Sequence, residues 1–259
     1  MTAKPIMLRG KPLAGGATPV ICTPLIGASR DAVLAELESV LPKHPDVIEW
    51  RADYFSALAD TPAVIETAQA LKAACGDVPV LFTRRSASEG GQSVSLSEPR
   101  VAQLYEAVCE ARCVDLIDYE LSNPADAFER LCAASRRQGM ALVGSYHNFQ
   151  STPPREALVA KFREAQQRGA DIGKVAVMPK SPADVLTLLS ATCEASATLE
   201  IPLISMSMGG FGSVSRMIGG VFGSALTFAV GKASSAPGQI PIEELRTVLV
   251  TVRRSTGNG

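Results

Sequence analysis

Short runs of apolar, mostly β-branched residues recur along the chain, separated by stretches in which apolar residues return at helical spacing. Runs of roughly four to eight such residues are typical of buried strands, and apolar residues at i, i+3, i+4 and i+7 are typical of amphipathic helices. The pattern predicts strands over residues 20–26, 47–51, 78–83, 114–119, 141–146, 172–177, 201–206 and 225–231. It predicts helices between them, over 32–41, 63–74, 101–111, 125–137, 155–168 and 182–195.

Strand and helix alternate about eight times at a spacing of about 30 residues, the size of a βαβ unit. Near-continuous apolar strands are what a parallel sheet covered by helices requires. We therefore predict an α/β fold, a (β/α)8 TIM barrel, with residues 1–259 as a single domain. Residues 7–16 are expected to form a short N-terminal β-hairpin that closes the barrel bottom. An open doubly wound sheet is the alternative, although no GxGxxG motif follows the first predicted strand to support its dinucleotide-binding form.

Composition narrows the function classes. Lys and Arg number 25 against 26 Asp and Glu, a net charge of −1, so the chain has no overall field that would attract nucleic acid or an anionic membrane. The six cysteines include no CxxC pair, and only two histidines are present, so we expect no metal site. No run approaches the roughly 18 apolar residues of a spanning helix, and no signal segment is recognisable. We expect a reducing, cytoplasmic location.

The first candidate for chemistry is Lys174, in the middle of the apolar strand predicted over 172–177. Because side chains alternate along a strand, Lys174 points into the barrel if the flanking valines face the helices. Burial and nearby positive charge from Arg51, Arg85 and Arg216 would favour the uncharged amine, a nucleophile that forms imines with ketones. The alternative is a lysine that extends from the strand end to meet a carboxylate.

The second candidate is His147, which follows the strand predicted over 141–146. A histidine accepts and returns protons near neutral pH when a carboxylate or backbone group orients its ring. A lone histidine is more often structural, but Lys174 on the next strand favours a catalytic interpretation. The other histidine, His44, lies in a proline-rich turn and is expected to face solvent.

Polar residues at the other strand ends are expected to converge on the opening of the barrel where active sites of this fold lie. Glu49 and Arg51 share one face of their strand. Arg85 and Glu89 follow the next strand in a Ser/Gly-rich loop, which should bring them near His147. The structural alternatives are a local ion pair for the first two and a solvated loop for the others.

Three later features complete the candidate site. Met206 and Met208 share a face, either as core or as an apolar wall for a substrate ring. The segment that precedes Arg216 is expected to open a helix, which would place this arginine near free N–H groups as a carboxylate clamp. The loop over 232–239 has the polar, flexible composition of a lid.

These segments together resemble type I 3-dehydroquinate dehydratase, an enzyme of the shikimate pathway of aromatic amino acid biosynthesis. Their shared order and spacing through most of the chain is a stronger signal than any one of them. The matching motifs are Glu49-Trp50-Arg51-Ala52-Asp53, Phe82-Thr83-Arg84-Arg85-Ser86 with Glu89-Gly90-Gly91, Ser145-Tyr146-His147, Lys174-Val175-Ala176-Val177-Met178-Pro179, Met206-Ser207-Met208, Ser215-Arg216, Val221-Phe222-Gly223-Ser224 and Ser235-Ala236-Pro237-Gly238-Gln239.

The resemblance implies a barrel enzyme, usually a homodimer, that needs no metal or cofactor. Its expected reaction is dehydration of 3-dehydroquinate to 3-dehydroshikimate through an imine (Schiff base) with a lysine. Lys174 would form the imine, His147 would transfer protons and Glu89 would orient His147. The substrate would be held by Glu49, Arg51, Arg85, Arg216, Ser235 and Gln239, with Met206 and Met208 beside it. Thr23 matches a hydroxyl position of the family only loosely, and Arg85 is chosen over Arg84 because it precedes the serine.

Two rival functions remain at this point. Another lysine-imine barrel enzyme, such as an aldolase, would share the logic of Lys174 but would usually need a phosphate site, and no clear phosphate loop follows the last strands. A non-catalytic protein that binds small acids would keep the arginines. The presence of both Lys174 and His147 argues against that second reading.

Overall fold

The computed structural model describes residues 5–13, 18–233 and 235–257. An antiparallel hairpin of β1 (Ile6–Leu8) and β2 (Lys11–Leu13) comes first, and strands and helices then alternate. The strands are β3 (Val20–Leu25), β4 (Val47–Arg51), β5 (Val80–Thr83), β6 (Leu116–Glu120), β7 (Ala141–Asn148), β8 (Ile172–Val177), β9 (Leu203–Ser207), β10 (Leu226–Val230) and β11 (Ile240–Pro241). The helices are α1 (Arg30–Val40), α2 (Thr61–Ala74), α3 (Glu98–Glu110), α4 (Ala125–Arg137), α5 (Arg155–Gln167), α6 (Pro182–Thr198), α7 (Gly209–Ile218) and α8 (Ile242–Ser255).

The parallel strands close into a barrel. Strands β3 to β9 pair in chain order. Strand β10 pairs with β3 on one side and with the short β11 on the other. The remaining gap, between β9 and β10, is bridged by the pair Leu203 and Ser224 and by the N–H of Ala225, which donates to the carbonyl of Leu203 at 2.7 Å. The predicted (β/α)8 barrel is confirmed. An open doubly wound sheet is wrong, because it would leave β9 and β10 as separate edges.

Side chains alternate between an inner and an outer apolar layer, as the period of a strand requires. Val47 and Ile172 belong to the cluster inside the barrel, whereas Val175 packs outside against the helices. Trp50 also faces outward, where its ring meets Phe82 edge to face at 5.5 Å. This outward anchoring of β4 directs the charged neighbours of Trp50 into the barrel.

The hairpin closes the bottom of the barrel, as predicted. Leu8 and Leu13 are buried in the inner cluster together with residues from the N-terminal ends of the barrel strands. At the hairpin turn, Arg9 forms an ion pair with Asp115, with Nη2 and Oδ2 at 3.0 Å. The strands are shorter than the predicted segment 7–16, part of which, residues 14–17, lies outside the described residues.

The start of α6 carries a capping motif. Ser181 and Asp184 form a capping box at the start of α6, where Pro182 occupies the first turn. Helix α7 already begins at Gly209, so the segment directly before Arg216 does not open the helix as expected. No helix among the described residues combines the length and the apolar character needed to cross a bilayer.

Candidate active site

The C-terminal ends of the barrel strands surround a pocket of about 420 Å³, a volume that includes solvent at its mouth. This is the end of the barrel at which active sites of the fold lie. The predicted residues that line it are Glu49, Arg51, Arg85, Glu89, His147, Lys174, Met206, Met208, Arg216, Ser235 and Gln239. They come from all parts of the chain, and the closed barrel brings them together.

Lys174 is buried in this pocket, with 4% of its surface exposed. Its Nζ donates a hydrogen bond to Asp118 Oδ2 at 2.9 Å and lies 3.8 Å from Glu49 Oε1. The ring of Phe228 lies below it, with the centroid 4.7 Å from Nζ. The neighbouring valines pack in the outer layer, so Lys174 faces inward as the strand period predicts.

The arginines expected around the amine line the same pocket, but they are not its nearest charged groups. The charged groups nearest to Nζ of Lys174 are the carboxylates of Asp118 and Glu49. Two of the three arginines are held by acids: Arg51 pairs with Asp53 at 2.8 Å, and Arg85 pairs with Asp118 at 2.7 Å. The amine therefore sits in a network of alternating charges rather than in a purely positive field.

His147 and Glu89 form a two-point contact. Glu89 Oε2 accepts a hydrogen bond from the backbone N–H of His147 at 3.0 Å and lies 2.9 Å from its Nδ1. The other oxygen, Oε1, accepts from Ser122 Oγ at 2.9 Å. An oxygen that already accepts the backbone N–H favours the tautomer in which Nδ1 also donates. Nε2 is then the nitrogen with a free lone pair.

Burial and neighbouring positive charges favour the neutral form of this histidine. Burial, and then the positive charges of Arg85 and Lys174, hold the pKa of His147 well below its usual value. Burial, and then the neighbouring Glu120, raise the pKa of Glu89 to about 7. Both shifts oppose a fully charged pair, so the imidazole can act as a base without first losing a proton.

Arg85 links the two acids of β6, Asp118 and Glu120, to Ser145 on β7. Its Nη2 donates to Asp118 Oδ1 at 2.7 Å, and its Nη1 donates to Glu120 Oε1 at 3.1 Å and to Ser145 Oγ at 2.9 Å. Although burial acts in the opposite direction, Arg85 and Lys174 hold the pKa of Asp118 well below its usual range. Both cations therefore favour the anionic form of Asp118 at the centre of the site.

Sequence reasoning missed Asp118 and Glu120. Both stand at alternate positions near the end of a predicted strand, the same signal that singled out Glu49 and Arg51 on β4. Applying that rule to β6 would have found them.

The choice between the two adjacent arginines agrees with the geometry. Arg84 turns away from the pocket: its backbone N–H donates to the hydroxyl of Tyr105 at 2.8 Å, and its guanidinium pairs with Glu98. Arg85 enters the pocket. The alternation of side chains along the chain at the end of β5 separates the two.

The loop after β10 reaches the pocket through Ser235 and Gln239. Arg51 Nη1 donates to the carbonyl of Ser235 at 3.4 Å, and the N–H of Ser235 donates to Gln239 Oε1 at 3.1 Å. Arg51 also donates to Asp53 through both Nε and Nη2, so its guanidinium is fixed in the position from which it binds this loop. Polar groups of the loop thereby form one wall of the pocket.

Among the described residues, Arg216 is a buried cation without a carboxylate partner. It is 1% exposed, and its guanidinium donates to the carbonyls of Phe228 at 3.3 Å and Pro237 at 3.1 Å. Within the part of the chain that the structure describes, its Nε has no partner. Burial lowers its pKa to about 10. Because it lies in the last turn of α7, the expected position near a helix N-terminus is wrong. What points it at the pocket is the packing of α7 against the barrel.

Thr23 is the one predicted site residue that the structure does not bring to the pocket. On β3, Ile21 and Leu25 lie two residues before and after Thr23 and pack in the outer layer, whereas the adjacent Cys22 faces the inside of the barrel. The side chain of Thr23 therefore points outward, and its hydroxyl is buried without a hydrogen-bond partner in residues 5–13, 18–233 and 235–257. The period of the strand corrects this assignment.

Gly90 shows why glycine follows Glu89. Its φ of +84° lies in the left-handed region, and a Cβ there would approach the ring of Phe149 to 2.3 Å. The turn can place Glu89 beside His147 only with a residue that has no side chain at position 90.

Among the described residues, no group of three or more His, Cys, Asp or Glu side chains is arranged to hold a metal ion.

Comparisons with known proteins agree with this geometry. Residues 21–256 match the sequence profile of Type I 3-dehydroquinase. A 3-dehydroquinate dehydratase of Albidiferax ferrireducens is 56% identical over 258 residues, covering 100% of this chain and 98% of its own. The crystal structure of 3-dehydroquinate dehydratase from Geobacillus kaustophilus superposes with a TM-score of 0.95 at 48% identity, covering 98% of both chains. The type I enzyme of Clostridium difficile, crystallised with covalently modified comenic acid, superposes at 0.93 with 35% identity, covering 98% of this chain and 99% of its own.

Proposed function

Because the chain belongs to the type I 3-dehydroquinase family, we propose that it dehydrates 3-dehydroquinate to 3-dehydroshikimate through an imine between Lys174 and the substrate ketone. The observation that carries the mechanism is the pairing of two groups in one pocket. Lys174 supplies a buried amine, and His147 supplies a neutral, oriented imidazole. The proposed reaction uses only protein side chains and water, with no metal or other cofactor.

Imine formation begins with the amine of Lys174 and the ketone carbon. Counted from the ammonium form of Lys174, the C–N bond forms, the C–O bond breaks, and the oxygen leaves as water with two of the three nitrogen protons. The nitrogen keeps one proton and a positive charge. A cationic imine withdraws electrons from the adjacent C–H bond, so a base of ordinary strength can remove that proton.

His147 is the proposed base, acting through Nε2. Removal of the C–H proton gives a neutral enamine and an imidazolium ion. The electron pair of the enamine then expels the β-hydroxyl, which takes the proton of His147 and leaves as water. Hydrolysis of the conjugated imine returns the ketone product and the ammonium form of Lys174, so the protein ends unchanged.

Glu89 is proposed to orient His147 rather than to touch the substrate. Its Oε2 binds both the backbone N–H and the ring of His147, which fixes the tautomer and the direction of the base. Ser122 in turn holds the other carboxylate oxygen.

Arg216 is the proposed partner of the substrate carboxylate. A buried guanidinium that lacks an acid favours an anionic ligand, because the ligand supplies the missing counter-charge and accepts from a planar fork of donors. The polar groups proposed to hold the hydroxyls are Glu49, Arg51, Arg85, Ser235 and Gln239. Met206 and Met208 would provide the apolar wall beside the ring.

The test combines turnover with trapping. Purified protein is incubated with 3-dehydroquinate, and the conjugated enone of the product is followed by its ultraviolet absorbance. Parallel samples are reduced with borohydride and mapped by peptide mass spectrometry. Turnover with a substrate-mass adduct at Lys174 supports the proposal, whereas turnover without an adduct at that residue contradicts the imine mechanism.

We also propose that the enzyme is a homodimer that works in the cytoplasm. Helices α6 and α7 carry exposed apolar side chains, Leu186, Phe211 and Val214, and residues 201–231 contain a single charged side chain, the buried Arg216. An uncharged apolar face can pair with its own copy without repulsion of like charges. The six free cysteines, five of them buried, are consistent with a reducing compartment.

Light scattering tests the dimer. The wild-type protein should have twice the mass of one chain, and Phe211→Glu should shift it toward the monomer because two carboxylates would meet near the two-fold axis. Glu156→Gln, at an exposed position on α5, is the matched control and should leave the mass unchanged. A wild-type mass of one chain would contradict the dimer.

A further inference from the structure

The two oxygens of Asp118 have separate partners. Oδ1 accepts from Ser145 Oγ at 2.6 Å and from Arg85 Nη2 at 2.7 Å, whereas Oδ2 accepts from Lys174 Nζ at 2.9 Å. The residue is fully buried, at 0% exposure. Two donors on one oxygen fix the carboxylate plane, and the second oxygen is left for the amine nitrogen of Lys174.

This arrangement acquires a specific task once an imine forms. An ammonium has three N–H donors, but the iminium made from it has one. In a buried pocket that single N–H needs an acceptor within hydrogen-bond distance, because an unpaired buried donor, above all a charged one, is costly. Among the described residues, Asp118 Oδ2 is the carboxylate oxygen at such a distance from Nζ. Glu49 Oε1 is at 3.8 Å and already accepts from Thr83 Oγ1 at 3.0 Å.

We propose that Asp118 is a catalytic residue, the fixed counter-ion that keeps the nitrogen of the Lys174 imine protonated during turnover. The inference rests on the proposed imine mechanism. A protonated imine activates the adjacent C–H bond, and an unprotonated imine does so far less. Because Arg85 and Ser145 hold the anion in place before the substrate arrives, the stabilisation of the iminium needs no rearrangement.

The remaining charges around the nitrogen explain why a counter-ion is required. The charged and titratable groups that surround it are Cys22 from β3, Glu49 and Arg51 from β4, Arg85 from β5, Glu89 from the turn after β5, Asp118 and Glu120 from β6, His147 from β7 and Arg216 from α7. Three of these groups are guanidinium cations. Arg51 has its own acid in Asp53, but Asp118 is also an acid partner of Arg85. Without Asp118, the charges of Arg85 and Arg216 would favour loss of the imine proton, since like charges disfavour another cation.

The variant Asp118→Asn tests the proposal. It keeps the shape of the side chain and removes its charge. We expect the borohydride adduct at Lys174 to persist, kcat at pH 7 to fall by at least about 100-fold, as for loss of a preorganised charge partner, and the alkaline limb of the kcat against pH profile to move to lower pH by about one unit or more. The limb moves because an imine without its anion loses its proton at lower pH.

Two further variants separate a counter-ion from a structural role. Asp118→Glu keeps the charge, so the alkaline limb should return toward its wild-type position even if kcat stays low. Glu49→Gln removes the more distant carboxylate, and there we expect weaker substrate binding with the limb in place. A purely structural role of Asp118 would lower activity in Asp118→Asn without moving the limb.

Ser145→Ala covers the case in which Asp118→Asn does not fold. It removes one hydrogen bond to Oδ1 and no charge, so it should shift the limb in the same direction by a smaller amount. An unmoved alkaline limb in folded Asp118→Asn, or in Ser145→Ala when the former does not fold, overturns the counter-ion role. Failure of the wild-type protein to form any adduct at Lys174 would instead contradict the imine mechanism itself.

Discussion

One carboxylate oxygen of Glu89 holds His147 at two points, accepting its backbone N–H at 3.0 Å and lying 2.9 Å from its ring Nδ1. A histidine held only through its ring could still move together with the end of its strand. Because Glu89 also binds the backbone N–H of His147, the ring is fixed relative to its own backbone. The direction of Nε2 is therefore a property of the folded barrel and not of the bound substrate. Each residue of the pair can be tested separately.

Replacing His147 by alanine should remove proton transfer and spare imine formation. General acid–base catalysis typically contributes about 100 to 10,000-fold, so we expect kcat to fall by that factor. The borohydride adduct at Lys174 should accumulate, since steps after condensation are slowed. Steady-state assays and mass spectrometry measure the two effects. Loss of the adduct together with loss of turnover would assign His147 to imine formation instead.

Replacing Glu89 by glutamine should change how stability depends on pH. The pKa of Glu89 is raised to about 7, above the value of about 4.3 in an unfolded chain, so its protonated form stabilises the folded state below about pH 4 and that stability is lost as the pH rises to about 7. Glutamine has no proton to lose. Relative to Glu89→Gln, the wild-type free energy of unfolding should fall by on the order of 2–4 kcal/mol between pH 4 and pH 8, at about 1.4 kcal/mol per pKa unit.

Urea unfolding at several pH values measures this difference for Glu89. The matched control is Glu38→Gln on α1, which replaces a glutamate at an exposed position by the same residue. A difference between Glu89→Gln and wild type that stays constant with pH would show that Glu89 is not held in its protonated form. The same variant should lower kcat by about 100-fold, because an amide can donate to Nδ1 and stabilise the wrong tautomer of His147.

Replacing Lys174 by alanine should abolish turnover with the fold retained. The variant has no amine to condense with the ketone, and Asp118 still has Arg85 and Ser145 as partners. The dehydration assay and far-ultraviolet circular dichroism measure the two properties. Lys161→Ala, on the surface of α5 where Lys161 pairs with Glu164, is the control and should remain fully active. Activity in Lys174→Ala would refute the assignment.

Replacing Arg216 by methionine should weaken substrate binding without weakening the fold. Loss of a charge-assisted contact to the carboxylate should raise KM by roughly 10 to 100-fold, with a smaller effect on kcat. Because Arg216 is buried and its described partners are neutral, removing its charge while keeping most of its volume should not lower the unfolding temperature. Kinetics and thermal unfolding check both points. Unchanged kcat and KM would contradict the carboxylate role, and Arg163→Ala on α5 serves as the exposed control.

The barrel and most of its opening could be predicted from the chain because both depend on local periodicity. Predicted strands 47–51 and 172–177 coincide with β4 and β8, and the two-residue period places Glu49, Arg51 and Lys174 on inward faces. The assignment of Thr23 to the site is wrong by the same rule. It rested on a loose match to a motif, whereas the alternation of side chains on β3 points Thr23 outward.

By itself, then, the sequence determined the order of strands and helices, the inward-facing set of polar side chains and the pairing of one buried amine with one imidazole. Only the tertiary structure decided which of those groups touch: that Asp118 lies beside Lys174, that each of Arg51 and Arg85 is neutralised by an acid, and that Arg216 faces the pocket from the end of a helix. Periodicity specifies a direction within one strand, whereas a contact between strands far apart in sequence depends on register, barrel closure and burial. These are properties of the whole fold.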